Sequence, residues 1–177
     1  MNQRVDAVKT AQLEVGVNPG GDKFWQHMGY TKHVEWCACF ISWLMDEIGL
    51  AKSKWKRSGG CTQMMRYAES IGIIIAKDTA PQPGDIVFFE WADPGDGPDH
   101  AGIISLVSDH DVYVIEGNVK DTSGHDNVCC RVWDTGSKKL YAIARPEYEC
   151  ELTWGEIQDA LSRIILALED IKNGRDS

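Results

Sequence analysis

Cys37, in the run EWCACF, and His100, in the run PDHAGII, are a thiol and an imidazole placed where nucleophilic catalysis could use them. Attack on a carbonyl carbon needs the thiolate, so a catalytic cysteine must have a depressed pKa and a base within reach. Apolar Phe40, Trp43, Leu44 and Ile48 recur at helical spacing and stop at Gly49, which predicts a buried helix from Glu35 with Cys37 in its first turn. Unpaired backbone N–H groups and the positive end of the helix dipole favour a thiolate there. A free cysteine is otherwise most often a small buried hydrophobe, and the sulfur alone does not decide between the two.

His100 stands directly before the predicted strand AGIISLV and after the loop ADPGDGPD, so a strand start can aim its ring at a neighbouring helix end. A thiol and an imidazole in two such elements form a recurrent nucleophile and base pair. His27, His33, His110 and His125 fall in predicted loops and have no such placement. Glu116 and Asn118, in VIEGN, are two residues apart on the next predicted strand and project from one face of the sheet. Either could hold the imidazole in its working orientation; the plain alternative is a carboxylate and an amide facing water. Of the tryptophans that invite sugar stacking, Trp43 is expected in the core. Trp91, beside the loop preceding His100, is the better candidate for substrate contact, with Trp36 behind it.

Cys37 and Cys39 lie about 200° apart around a helix, so they cannot jointly hold one zinc ion, and the six cysteines include no C-x2-C pair. No structural metal or cofactor is expected, and the thiols are expected to be reduced. The 177 residues, 43% hydrophobic and 25% charged, suffice for one well-buried core. A net charge of −9 excludes a general nucleic-acid surface, which needs clustered Lys and Arg. No run approaches the roughly 18 apolar residues of a membrane span, so membrane insertion is not expected. The start MNQRVDAVKT lacks the apolar run of a secretory signal, which predicts synthesis in a cytoplasm.

The elements that must position these groups fall into two halves. Residues 4 to 14 suit a short helix with Val5, Val8, Ala11 and Leu13 near one face, and the turn-rich VNPGGD breaks it. TQMMRYAES predicts a further helix ending near Gly72. From Pro83 onward come GDIVFFEW, AGIISLVS, VYVIEGN, VCCRVW and LYAIARP, short β-branched and aromatic runs between turn residues. Helices followed by consecutive strands predict an α+β domain with a largely antiparallel sheet, spanning residues 1–150. In residues 151–177, Thr153 and Glu156 form a capping box. An apolar stripe from Ile157 to Ile171 then predicts an amphipathic helix that docks on the domain, self-associates or serves as a linker.

Four runs in order, WCACFISW, PQPGDIVFF, DHAGII and VIEGN, resemble the CHAP family of cysteine, histidine-dependent amidohydrolases and peptidases. The similarity covers about residues 5 to 146. It implies a papain-like fold and cleavage of an amide bond in peptidoglycan, between muramic acid and L-alanine or within the stem peptide or cross-bridge. It also implies Cys37 as nucleophile, His100 as base, Glu116 as orienting carboxylate and Asn118 as supporting amide. Cys39 departs from the small or apolar residue common at its position. Some relatives bind calcium through an Asp-rich loop before the cysteine. NPGGDKFWQH offers only Asn18 and Asp22 as oxygen side chains, so metal independence is expected. Absence of a signal peptide suits a phage lysin that acts on the wall after release. An injected antibacterial effector, a cysteine protease acting on proteins and a non-catalytic wall-binding module are the competing functions.

Overall fold

The computed structural model describes residues 2–91 and 95–149. Helices α1 (Gln3–Leu13), α2 (Asp22–His27), α3 (Cys37–Glu47) and α4 (Cys61–Ser70) precede all the strands. These are β1 (Ile86–Phe89), β2 (His100–Ser108), β3 (Asp111–Lys120), β4 (Asp126–Asp134) and β5 (Leu140–Ala144). Each strand overlaps one of the predicted runs, with β2, β3 and β4 extending one or two residues beyond theirs. They form a single sheet in the order β4-β3-β2-β1-β5, antiparallel throughout, which gives the expected α+β class.

The core forms around α3, whose residues from Cys37 to Met45 are all buried. A helix apolar on every side must be covered on every side. Here β2 and β3 lie against one flank, and α1, α2 and α4 cover the others. Phe24 sits at the centre, stacked on Trp36 at 5.3 Å and edge-on to Phe40 and Trp43, each at 5.1 Å. Full burial of a large apolar side chain stabilises by about 1.5–3 kcal/mol, so this cluster is a main anchor of the helix. Val87, Phe89, Ile104, Val112 and Val114 make a second cluster. Alternation along β1 therefore sends Ile86 and Phe88 to the helical core and Val87 and Phe89 to this second cluster.

Two local expectations are corrected. The buried face of α1 is Gln3, Ala7 and Ala11, while Val5 and Leu13 are exposed. Small alanines let the helix lie close, and the Gln3 amide donates to the carbonyls of Ile48 and Gly49 at 3.1 and 3.2 Å, which ties α1 to the end of α3. The turn expected after α1 is followed by α2, so His27 ends a helix instead of lying in a loop, and its Nε2 meets Asp46 at 2.6 Å. Among the described residues no helix is long and apolar enough to cross a membrane. The helix expected between Thr153 and Ile171 lies outside the described residues, and with it the question of docking or self-association.

Candidate active site

Cys37 is the first residue of α3, and Trp36 before it caps the helix with no side-chain bond to the first turn. The early N–H groups therefore remain available near the sulfur, as the sequence predicts. The helix start can come close to β3 because Gly117 has no side chain. A Cβ there would stand 2.7 Å from the Trp36 ring and 2.8 Å from Phe40 Cβ.

The loop before His100 is clamped at both ends. The backbone N–H of Trp91 donates to both Asp99 carboxylate oxygens, at 3.1 and 3.0 Å, and the Asp99 N–H donates to the Phe89 carbonyl at 3.0 Å. His100 thereby opens β2 opposite Phe89. Its ring lies under the Trp91 indole, stacked at 3.8 Å and 23°. Nε2 of His100 meets Glu116 Oε2 at 2.9 Å, which leaves Nδ1 as the ring nitrogen available to Cys37, a residue lining the same cavity.

Glu116 is fully buried, and Gly102 directly across on β2 makes the room, since a Cβ there would stand 2.8 Å from Glu116 Cγ. Two side chains make three hydrogen bonds to its carboxylate besides the contact with the imidazole. Two of those bonds come from Arg131, Nη2 to Oε2 at 2.7 Å and Nε to Oε1 at 3.3 Å, and the third from Trp133 Nε1 to Oε1 at 2.6 Å. The Arg131 guanidinium in turn lies over the rings of Trp91 and Trp133, 4.8 Å from each.

The charges follow from these contacts. The hydrogen bond with Cys61 holds the Cys37 thiol well below its ordinary 9.0, against the effect of burial, and the bond and charge of His100 add to it. Burial acts to lower the His100 pKa, but its bonds to Cys37 and Glu116 outweigh that and raise it above 6.5. Burial likewise acts to raise Glu116, and its bonds to His100 and Arg131 outweigh it and lower the carboxyl below 4.5. A thiolate, an imidazolium and a carboxylate in line can attack a carbonyl and then protonate a leaving amine. Cys39, fully buried on the same helix, is pushed up to about 11 by burial and by the Cys37 charge.

The CHAP domain profile matches residues 19–118, more than half of the chain and the stretch that holds Cys37, His100, Glu116 and Asn118. The chain belongs to the CHAP family. Among curated proteins no sequence match is found. Similar solved structures include the crystal structure of Ly7917, at TM-score 0.54 and 16% identity, covering 80% of this chain and 61% of that one. Ly7917 with the hydrolyzing product of MDP is similar at TM-score 0.53 and 16% identity, covering 80% and 62%. The alignment thus spans about three fifths of those longer chains, and at such identity the likeness is one of fold.

Within this CHAP domain, Cys37 and His100 line one cavity and His100 bonds Glu116, whereas Asn118 does not bond the imidazole. A register shift between Glu116 and Val119 and a φ of 63° at Asn118 break the two-residue alternation. The Asn118 amide donates instead to the Glu35 carboxylate. Both residues line a cavity of about 360 Å3 together with Cys37, Trp91, Asp99 and His100. Trp36 is corrected as a substrate contact: it is 0% exposed and belongs to the helical core. Trp91 does line the cavity, with one ring face occupied by His100.

Sequence reasoning missed Arg131, Trp133, Cys61 and Glu35. Arg131 and Trp133 alternate along one strand, a visible signal, but their reach to Glu116 depends on the pairing of β3 with β4. Glu35 carries no sequence signal beyond its place at the start of the predicted helix. Among the described residues no group of three or more His, Cys, Asp or Glu side chains gathers as a metal site.

Proposed function

We propose that this CHAP domain cuts an amide bond of peptidoglycan by acyl transfer, as an N-acetylmuramoyl-L-alanine amidase or a stem or cross-bridge endopeptidase. The observation that carries this is the placement of Cys37 and His100 on one cavity at the start of α3, with the imidazole held from behind by Glu116. The Cys37 thiolate attacks the amide carbonyl, and the oxyanion that develops is met by backbone N–H groups of the first turn of α3. His100 gives its proton to the leaving amine, and as a neutral base it then takes a proton from the water that releases the acyl group. Glu116 keeps the ring oriented and stabilises the imidazolium, itself held by Arg131 and Trp133.

Asn118 and Glu35 form the polar wall of the cavity, suited to binding the polar backbone of a peptide beside the scissile bond. The fold likeness to a protein solved with a hydrolyzing product of MDP supports a substrate of that kind. Residues 1–150 are proposed as the catalytic unit, with 151–177 as an appended helix.

Incubation of the purified protein with peptidoglycan sacculi, followed by mass spectrometry of the soluble products, tests this. New amino groups without new reducing sugar ends are expected. Release of reducing sugar ends, or intact sacculi beside cleaved protein substrates, would overturn the proposal.

A further inference from the structure

Cys61 opens α4, and its Sγ lies 3.5 Å from Cys37 Sγ with both side chains buried. The approach is built from both sides. Ser42 of α3 donates to the Ser58 carbonyl at 2.8 Å and accepts from the Ser58 N–H at 2.9 Å, fixing the lead-in to α4 on α3. Thr62 donates to the Pro98 carbonyl at 3.1 Å, fixing the start of α4 on the loop before His100. Cys61 also lines a cavity of about 390 Å3 that shares Asp99 with the catalytic cavity, so the two sulfurs stand between two openings. Acyl transfer uses Cys61 only as a hydrogen-bonding neighbour of the Cys37 thiolate, a part that does not call for a second sulfur.

We propose that Cys37 and Cys61 are a redox-active dithiol, in which a hydroperoxide converts the nucleophile to a reversible Cys37–Cys61 disulfide. The inference rests on the proposed function only for its consequence, loss of hydrolysis. A disulfide needs sulfurs about 2.05 Å apart, so closing the pair takes a movement of about 1.5 Å.

The chemistry balances with the peroxide alone. The Cys37 thiolate attacks one peroxide oxygen, the O–O bond breaks, and the departing hydroxide takes the His100 proton and leaves as water, giving a sulfenic acid. The Cys61 sulfur then attacks Cys37 Sγ, the S–O bond breaks, and the hydroxyl leaves as water with the Cys61 proton. Two electrons pass from the sulfurs to the peroxide. Without the second thiol, further peroxide would carry Cys37 to the sulfinic acid, which thiols do not reduce. Cys39 takes no part, since it is fully sealed in the core and lines neither cavity.

Trypsin separates the two thiols into residues 33–52 and 58–66, which makes the link readable. The reduced full chain is treated with equimolar hydrogen peroxide, blocked with iodoacetamide and digested without reductant. The two peptides are expected joined, about 2 Da lighter than their sum, with fragment ions assigning Cys37 and not Cys39. Dithiothreitol should return both free peptides and the hydrolytic activity. In Cys61→Ser, peroxide raised to a several-fold molar excess should add about 32 Da to Cys37 and leave activity that dithiothreitol does not restore, whereas wild type under the same excess should still give the linked peptides. Wild-type Cys37 found as sulfinic acid with no linked peptide, or linked to another cysteine, overturns the proposal even if the variant fails to fold. Because mass reads the link with no substrate present, its failure is distinct from failure of the hydrolase.

Discussion

Glu116 and Asp85 are both fully buried carboxylates held by arginine, yet they do different work. Asp85 receives Arg145 at 2.8 and 3.0 Å, Arg4 at 3.4 Å and the Gln82 N–H at 2.9 Å. Those partners join the lead-in of β1 to α1 and to the end of β5, and each is a permanent donor. Glu116 replaces one such partner with His100, whose proton can move and whose ring borders an open cavity. Burial and an arginine therefore do not mark a catalytic carboxylate. A titratable partner at a cavity does.

The largest expected difference comes from neutralising each carboxylate. Glu116→Gln should lower the rate per folded molecule by about a hundredfold or more, the scale of a lost acid–base arrangement. Asp85→Asn should leave that rate within about twofold and lower the melting temperature instead, by a few degrees for each ~1 kcal/mol lost. Calorimetry beside an assay on sacculi separates the two effects. Equal rate losses at matched stability would erase the distinction.

The same pair should differ in pH dependence. Activity requires the Cys37 thiolate and the His100 imidazolium, so it rises through a Cys37 pKa well below 9.0 and falls through a His100 pKa above 6.5. Removing the Glu116 charge removes one cause of the raised His100 pKa. The alkaline limb of Glu116→Gln should therefore move to lower pH, while Asp85→Asn leaves both limbs in place. Stability follows the same signs. The Glu116 contribution is present above 4.5 and is lost as pH falls through its depressed pKa. The His100 contribution is present below 6.5 and is lost as pH rises through its raised pKa.

Smaller effects test the surroundings of Glu116. Trp91→Ala removes the ring stacked on His100, and an aromatic contact of about 0.5–1.5 kcal/mol converts to a roughly two- to tenfold loss of kcat. Asn118→Ala should cost less than Glu116→Gln and raise KM more than it lowers kcat, because its amide meets Glu35 and not the imidazole. An Asn118→Ala variant as slow as Glu116→Gln would return the orienting role to the amide.

Much of this was legible in the sequence, and its limits have physical causes. Turn residues and β-branched runs marked all five strands, and helical spacing placed Cys37 at a helix start because both signals are local. The apolar face of α1 was misjudged because Ala7 and Ala11 bury fully while larger Val5 and Leu13 stay exposed. α2 was missed because six residues after a glycine-rich turn carry too little periodicity, although its Phe24 sits at the core's centre. Glu116 and Asn118 share a face in a regular strand, and the bulge that parts them is signalled only by Gly117 before an Asn that takes a positive φ. Cys61, Arg131 and Trp133 reach the site through pairings set by the whole fold.

The central claim, that Cys37 carries the chemistry, is tested most directly by two single substitutions on one helix. Purified wild type, Cys37→Ala and Cys39→Ala, each shown folded by thermal melting, receive equal amounts of sacculi, and new amino groups are counted by mass spectrometry. Cys37→Ala should release none above the enzyme-free control, and Cys39→Ala, whose thiol lies sealed in the core, should keep most of the activity. Activity that survives Cys37→Ala, or that disappears only in Cys39→Ala, would contradict the account.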